Sequence, residues 1–326
     1  QLDLSRPYFA AFVFLVALAV CLAGSSRCEG ATEAKLSAKP NILFIAVDDL
    51  RPELGCYGNP LIKSPNIDRL AKGAMVFDRA YCQQAVCNPS RASLMTSLRP
   101  ESSGVLDLPT HFRTKVPEAV TVAQHFKAQG YFSQRFGKIF HVGHGNYDDK
   151  FSWSEQAPPV KPKWNPPGKS AGTETKSKKS GKKGAPQIRN AKGEKGPAYA
   201  APDVPDNDLQ DGQIADQAIE FLQKHQSEPF FLGVGFMKPH LPFIAPKKYW
   251  DLYQEKDIPL AANPFHPHNS PIWTSSDSGE LRSYDDIPSV GPVNEKQARA
   301  LKHGYYAATS FMDAQVGRVV GALDRL

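Results

Sequence analysis

The chain has 326 residues, of which 41% are hydrophobic, enough for a large buried core in one globular domain and without signs of a repeat array or coiled coil. Residues 161–195 hold eleven Lys or Arg against two Glu, so this segment has a net charge of +9. The whole chain has a net charge of +6, and the residues outside the segment therefore carry −3. The basic charge therefore belongs to one segment and does not indicate a nucleic-acid-binding protein. Only five cysteines are present, which excludes a disulfide-rich scaffold.

The N-terminal segment is typical of an export signal. Residues 8–24 form an apolar run after Arg6, and small residues at 23–26 offer a cleavage site. We predict a signal peptide over residues 1–28 and an exported protein, in the periplasm, outside the cell or in a lysosome-like compartment, with no stable membrane insertion after cleavage. A membrane anchor is the alternative, since a run of this length is just long enough to span a bilayer.

Strands and helices alternate along the rest of the chain. Residues 41–47 form a continuous apolar run, typical of a strand buried on both faces. The alternation predicts an α/β fold with a mostly parallel central sheet and helices on both of its faces. The predicted strands are 41–47, 75–77, 131–136 and 229–236, and the predicted helices are 65–73, 91–98, 120–129, 211–225 and 294–326.

Residues 155–200 interrupt this alternation with a segment rich in Lys, Gly and Pro and poor in apolar residues. Such a composition is typical of a disordered or loosely ordered insertion. Two interpretations stay open for it. It is either a solvated loop or a basic arm that holds an anionic polymer.

Four short motifs carry the chemistry of the chain. Asp48 and Asp49 close the first predicted strand, and open α/β sheets place their ligands at the carboxyl ends of strands. Adjacent carboxylates suit a hard divalent cation, although a solvated turn or a helix cap uses the same residues. The other three motifs are Cys87-Asn-Pro-Ser-Arg91, Gly137-Lys-Ile-Phe-His141 and Lys238-Pro-His240.

Taken singly, these motifs would indicate a buried thiol, a surface lysine and structural histidines, but their joint occurrence in this order points to a site. Together with the stretches 47–58, 83–91, 238–243 and 313–318, they resemble the sulfatase family of the alkaline-phosphatase-like superfamily. The resemblance is greatest to the iduronate-2-sulfatase-like branch. It implies an alkaline-phosphatase-like catalytic domain over residues 39–326, interrupted by the insertion, and an enzyme that hydrolyses sulfate esters of a sulfated sugar or polysaccharide such as a glycosaminoglycan.

The resemblance also implies a metal and a modified residue. Asp48, Asp49 and Cys87 would bind calcium, and a formylglycine-generating maturation enzyme would convert Cys87 into formylglycine, whose hydrate attacks sulfur. Pro89 and Arg91 would be required by that maturation enzyme, and Arg91 would also hold the hydrate. A helix that begins at Cys87 would favour anions for its own reason, because helix N-termini attract negative charge.

Three further residues receive roles from the same resemblance. Lys138 would contact the sulfate and the hydrate, and His141 would abstract the second hydroxyl proton so that sulfate leaves. His240 would contact sulfate and protonate the departing alcohol, as a positioned imidazole does near neutral pH. No role follows for Lys238. The histidines that match no motif are His111, His125, His144, His225, His266, His268 and His303.

The chain departs from the family pattern in one respect. The family completes its metal site with an Asp-His or Asp-Asn pair in a Ser-Asp-His-Gly-like segment, followed by a further sulfate-binding lysine, and no Asp-His-Gly occurs here. The first methionine is Met75 and the helical periodicity continues to Leu326, which indicates a fragment at both ends. We therefore expect the isolated chain to bind metal weakly and to hydrolyse little.

Two other functions remain open at this point. A phosphoester or phosphonate hydrolase of the same superfamily would use a similar site, since sulfate and phosphate share their geometry. A non-catalytic glycan-binding pseudo-enzyme would use the basic insertion instead, because fold does not imply activity. After removal of the signal, we expect Cys56 and Cys82 to be free buried thiols, with a disulfide between them as the alternative in an oxidising compartment.

Overall fold

The structure, a computed structural model, describes residues 39–164, 166, 196–271 and 274–326, so the predicted signal peptide and most of the basic insertion lie outside the described residues. The strands are β1 (Ile42–Val47), β2 (Phe132–Gly137), β3 (Tyr199–Ala200), β4 (Phe230–Phe236) and β5 (Phe243–Ile244). The helices are α1 (Pro65–Lys72), α2 (Cys87–Thr96), α3 (Pro100–Ser103), α4 (Val122–Ala128), α5 (Gln210–Lys224), α6 (Lys247–Trp250) and α7 (Glu295–Leu323).

The central sheet consists of three parallel strands in the order β1-β4-β2. Val47, the last residue of β1, pairs with Phe236, the last residue of β4, and Gly137 at the end of β2 pairs with Gly235. All three strands therefore end at the same edge. Every residue of β4 is buried, as expected of the middle strand of a parallel sheet.

Helices cover both faces of this sheet, as the sequence predicts. On one face, α5 and α7 pack against alternate strand residues such as Leu232 and Val234. On the other face, α2 and α4 pack around Phe231 together with the even-numbered residues of β1. This sidedness follows from the period of two in a β-strand, which sends neighbouring side chains to opposite faces. Between the two helical layers, the sheet supplies a rigid edge for a site.

Gly235 in β4 is required by a close backbone approach. A side chain at this position would overlap the carbonyl group of Lys138, the residue that follows β2. Gly137 takes a left-handed conformation, with φ of 71°. Because these two positions are glycines, the chain can pass from the end of β2 across the end of β4. This path brings Lys138 to the edge of the sheet.

The longest helix, α7, begins with a capping box in which Asn294 and Gln297 each hydrogen-bond to the backbone of the other. Its 29 residues pack against α5, α1 and α6. It also borders the small parallel sheet of β3 and β5, in which Tyr199 pairs with Phe243. Within the described residues, none of the helices is long and apolar enough to cross a membrane.

Three sequence expectations need correction or refinement. Residues 75–77 do not form a strand: Met75 and Phe77 are 81% and 65% exposed, and neither sheet of the described chain includes them. Helix α2 begins at Cys87 rather than at residue 91 and ends at Thr96, because Ser97 adopts a positive φ of 60°. Cys56 and Cys82 are free as expected, but Cys82 is exposed and Cys56 is half-buried, so neither is the buried thiol that was expected.

Candidate active site

The carboxyl edge of the sheet brings three of the four motifs together. Asp48 directly follows β1, Lys138 directly follows β2, and Lys238 lies two residues beyond β4. The backbone N–H groups of Asp48 and Lys138 donate to the carbonyl oxygens of Phe236 and Gly235 at 3.1 and 2.8 Å. The hydrogen bonding of the strands therefore continues to Asp48 and Lys138, and it fixes where these two side chains leave the edge of the sheet.

The fourth motif reaches the same edge through α2. Cys87 is the first residue of this helix, where the helix dipole is positive. Its Sγ lies 3.8 Å from Oδ1 of Asp48, 4.0 Å from Oδ1 of Asp49 and 3.7 Å from Nζ of Lys138. The position expected to become the nucleophile thus lies among the two carboxylates expected to bind metal and the lysine expected to bind sulfate.

Arg91 lies one helical turn after Cys87 and connects α2 to the ends of two strands. Its Nη2 donates to Oδ1 of Asp48 at 2.7 Å, and its Nη1 donates to the carbonyl oxygens of Lys138 and Ile139 at 2.5 and 3.0 Å. Both side chains of the ion pair are buried, at 7% and 4% exposure. These bonds give Arg91 a structural role in the site that the sequence did not predict.

The charge of Asp48 is held by two cations. Lys138 Nζ donates to the carboxylate oxygen that Arg91 leaves free. Burial by itself raises the pKa of Asp48, but the positive charges of Arg91 and Lys138 outweigh it and lower that pKa from 3.8 to about 2. Asp48 is therefore a carboxylate throughout the physiological pH range.

The thiol of Cys87 has the opposite electrostatic environment. Burial and the Asp48 carboxylate together raise its pKa to about 11, and Lys138 offsets only part of this. A cysteine attacks as the thiolate, so unmodified Cys87 is a poor nucleophile near neutral pH. If this position reacts, a group other than a free thiolate has to do so.

His240 faces the same cluster from the loop after β4. Its Nε2 lies 3.9 Å from Oδ2 of Asp48, 3.7 Å from Oδ2 of Asp49 and 3.6 Å from Oε1 of Glu280. Its Nδ1 lies 2.6 Å from the carbonyl oxygen of Leu241. A carbonyl oxygen only accepts hydrogen bonds, so Nδ1 carries a hydrogen and Nε2 is directed into the site.

His141 lies nearby but is directed elsewhere. It is 6% exposed, and its Nε2 lies 3.2 Å from Nδ1 of His144, on which its ring stacks. Burial, Lys138 and His144 lower the pKa of His141 to about 4, so its ring is neutral at pH 7. In the described part of the chain, its hydrogen bonds lead to neither Cys87 nor Asp48.

The structure adds contacts of residues to which the sequence assigned no role. Asp211, at the start of α5, accepts hydrogen bonds from the backbone of the loop that carries His240, and Lys238 donates to carbonyl groups of the same loop. Burial raises the pKa of Asp211 to about 6 and lowers that of Lys238 to about 8. Glu280 and His144 contact the two site histidines. Asp211 and Glu280 are distant in sequence from the residues that they contact, which is why sequence patterns did not reveal these contacts.

The donor atoms fit a hard divalent cation in part. Ligand atoms of Asp48, Cys87 and His240 lie within 4.8 Å of one another, and Asp49 adds a second carboxylate. Calcium takes oxygen ligands, which the two aspartates provide, whereas thiol and imidazole ligands are typical of zinc. Burial raises the pKa of Asp49 and the neighbouring Asp48 charge adds to this, so a cation between the two carboxylates would offset their repulsion. Cys87 would join such a site only with oxygen in place of sulfur.

The comparisons with known proteins show the family to which this chain belongs. The family model described as Sulfatase matches residues 40–326. Iduronate 2-sulfatase of Mus musculus is 38% identical over 317 residues, which are 94% of this chain and 54% of that protein, and iduronate 2-sulfatase of Homo sapiens is 37% identical over 326 residues, 96% of this chain and 56% of that protein. The chain therefore spans about half the length of these curated relatives.

A solved structure shows the same fold at low sequence identity. The phosphonate monoester hydrolase from Silicibacter pomeroyi superimposes with a TM-score of 0.62 at 20% identity, over 88% of this chain and 60% of that one. Identity this low carries information about architecture only. It confirms the predicted α/β fold with a parallel sheet between helices.

Proposed function

Because this chain belongs to the sulfatase family, we propose that its protein hydrolyses a sulfate ester, R–O–SO₃⁻ + H₂O → R–OH + HSO₄⁻. The observation that carries the proposal is the position of Cys87, whose Sγ lies within 4.0 Å of Asp48, Asp49 and Lys138. Burial and the Asp48 carboxylate raise the pKa of the thiol, so unmodified Cys87 is a poor nucleophile near neutral pH, which supports a modified side chain at this position.

We infer that Cys87 is the target of a maturation enzyme that, with an external two-electron oxidant, converts its Cβ into an aldehyde carbon while the sulfur leaves as sulfide, and that the hydrate of this formylglycine supplies the nucleophile. Hydration places oxygens where the sulfur now lies, next to the two carboxylates. Asp48 and Asp49 would hold calcium, which when bound neutralises charge on the sulfate group. Pro89 and Arg91 remain predicted recognition residues for the maturation enzyme.

The basic side chains then have distinct tasks. Lys138, close to both Asp48 and Cys87, supplies a fixed positive charge for the non-bridging sulfate oxygens. His240 directs Nε2 into the site, where a protonated ring would donate to the leaving oxygen. Burial lowers the pKa of His141 to about 4, so its ring is neutral at pH 7, and we assign to it the acceptance of a proton after sulfate transfer.

For the substrate, we propose a sulfated sugar, alone or within a polysaccharide such as a glycosaminoglycan. The relatives named iduronate 2-sulfatase are the support for this class. We further propose export of the protein, on the apolar run at residues 8–24. The basic segment 161–195, most of which lies outside the described residues, would hold anionic polymer by charge.

A second candidate function has a specific observation in its favour. The fold similarity to a phosphonate monoester hydrolase, at a TM-score of 0.62, makes phosphonate or phosphate esters a chemically related substrate class. The same carboxylates and lysine would bind either anion. Paired assays with sulfate and phosphonate monoesters of one leaving group separate the two functions.

The modification is tested by mass spectrometry of the tryptic peptide Ala80–Arg91 from protein made in its native host. This peptide contains Cys82 as well as Cys87, so Cys82 is an internal control for thiol alkylation. We expect one alkylated thiol and an aldehyde, and two alkylated thiols would contradict the proposal.

Turnover is tested on the full-length gene product. Cys87→Ala should reduce sulfate ester hydrolysis by about 10⁴-fold or more, as removal of a nucleophile does elsewhere. Cys82→Ala, at the exposed cysteine of the same segment, is the matched control and should leave activity unchanged. Chelation of divalent cations should also abolish turnover, and calcium should restore it.

A further inference from the structure

The loop after β4 is tied to α5 by one buried carboxylate. Asp211 is 1% exposed, and its Oδ1 and Oδ2 accept the backbone N–H groups of Met237 and Lys238, each at 2.8 Å. These are the first two residues beyond the strand, where the chain turns away from the sheet. Both oxygens of Asp211 are therefore used to set the direction in which the loop leaves β4.

Lys238 fixes the remainder of the same loop from within. Its Nζ donates to the carbonyl oxygens of His240 at 2.8 Å and Pro242 at 2.6 Å. The backbone N–H of His240 also donates to the carbonyl oxygen of Met237 at 3.0 Å. The lysine thus lies at the centre of a turn whose carbonyl groups converge on its ammonium group.

These contacts surround the one residue of the loop that faces the site. With the backbone of His240 fixed on both sides, its Nδ1 is brought to 2.6 Å from the carbonyl oxygen of Leu241. That bond selects the tautomer with hydrogen on Nδ1. Nε2 is left towards Asp48, Asp49 and Glu280, at 3.9, 3.7 and 3.6 Å.

We propose that Asp211 and Lys238 are positioning residues that hold the loop so that His240 keeps a hydrogen on Nδ1 and directs Nε2 into the site. The inference deepens the proposed function and rests on it for the role of His240 in turnover. The geometric part, which concerns the tautomer and orientation of the ring, stands independently of which ester is hydrolysed.

A merely structural role makes a different prediction. If Asp211 and Lys238 only stabilised the fold, replacing them would lower the free energy of unfolding but leave the tautomer of His240 unchanged in the folded protein. A positioning role couples the replacement to the ring itself. Displacement of a reacting group by about 1 Å is enough to cost on the order of 10²-fold in rate.

The experiment uses Lys238→Met and Asp211→Asn in the full-length gene product. Lys247→Met and Asp216→Asn are matched controls. Lys247 on α6 and Asp216 on α5 each form an ion pair, and their own side chains are substantially exposed. Imidazole ¹⁵N NMR reports the tautomer, with the His240 signals assigned by their loss in His240→Gln. Steady-state kinetics on a sulfate monoester report kcat and KM separately.

We expect wild-type His240 and both controls to show the single tautomer with hydrogen on Nδ1. In Lys238→Met and Asp211→Asn we expect a mixture of tautomers and a loss of about 10- to 100-fold in kcat, the usual effect of removing the partner that orients a site histidine. The change in KM should be smaller than the change in kcat.

Several outcomes would overturn the proposal. One is wild-type His240 with hydrogen on Nε2 and none on Nδ1, and another is an unchanged single tautomer in both folded variants. If Lys238→Met does not fold, Asp211→Asn keeps the lysine and one acceptor oxygen and gives the same test. If the wild-type protein has no turnover, the proposed function fails while the NMR result still decides the positioning role.

Discussion

Two buried aspartates lie on either side of the candidate site and are held in opposite ways. At the end of β1, Asp48 is neutralised by the side chains of Arg91 and Lys138, which lower its pKa to about 2. At the start of α5, Asp211 receives two backbone N–H groups and burial raises its pKa to about 6. The ionised form of Asp48 is stabilised by two charged side chains, and the carboxylate of Asp211 is stabilised by hydrogen bonds from two backbone N–H groups.

This difference separates the part of the site proposed to react from the part that supports it. Full cations around Asp48 create a concentrated charge pattern that an anionic ester or a metal ion would meet. Backbone donors around Asp211 fix a loop without adding net charge to the site. The two regions should therefore respond differently to loss of a partner and to pH.

The largest effect is expected from Arg91→Met, which removes one cation from Asp48. Breaking a buried ion pair leaves an uncompensated charge, and we expect the free energy of unfolding to fall by about 3 kcal/mol. Urea denaturation measures this. Arg51→Met is the control, because Arg51 is 71% exposed in its pair with Glu53 and such surface pairs contribute less than about 1 kcal/mol. Equal losses in the two variants would contradict the comparison.

The next effect is the acid dependence that Asp48 confers. Its pKa is lower in the folded chain than in the unfolded one, so its contribution to stability is complete above pH 3.8 and is lost as pH falls towards about 2. A shift of this size corresponds to about 2 kcal/mol. Between these pH values, the free energy of unfolding should fall more for wild type than for Asp48→Asn. The difference between the two decreases should be about 2 kcal/mol. Parallel curves would show that Arg91 and Lys138 do not stabilise the ionised form.

The smallest net effect at pH 7 is expected from Asp211→Asn, and the pH dependence that Asp211 confers on stability has the opposite sign to that of Asp48. The pKa of Asp211 is higher in the folded chain, so the folded state prefers the protonated acid and loses stability as pH rises from 3.8 to about 6. The variant lacks this loss. At pH 7 it gives up one acceptor but also one buried charge, so we expect a net change of about 1 kcal/mol or less.

Asp216→Asn, on the same helix but with a substantially exposed side chain, serves as the control for that measurement. Its stability should follow that of wild type across the whole range from pH 4 to 6. A wild-type protein whose free energy of unfolding rises with pH in this range, by an amount that Asp211→Asn removes, would contradict the assignment of Asp211 as a carboxylate disfavoured by burial.

Most of the fold was predictable because its signals are local. The apolar run that became β1 and the glycine that ends the helix before β2 are both readable from short windows of sequence. Residues 75–77 show the limit of this reasoning. Their apolar character resembles that of β1, but a strand needs a neighbour with which to pair, and sequence patterns do not reveal whether one is present. Met75 and Phe77 are exposed instead.

The site was predictable where a motif sits at the end of a strand. Parallel strands end together, so the separate motifs at Asp48, Lys138 and His240 meet at one edge of the sheet. The supporting contacts were not predictable in this way. Asp211 bonds to residues 26 and 27 positions later in the chain, and no periodicity marks such a pair. Arg91 was recognised by its motif, but its bond to Asp48 became apparent only from the folded chain.

Because the three strands end at a common edge, the number of residues in each strand determines where the site residues lie. A strand advances by about 3.3 Å per residue and alternates its faces, so one extra residue inside β1 would displace Asp48 by that distance and turn it to the opposite side of the sheet. A single in-frame codon inserted within a strand could therefore inactivate the protein while every residue of the site remains encoded. When variants of this chain are interpreted, insertions and deletions in β1, β2 and β4 belong with substitutions of the site residues themselves.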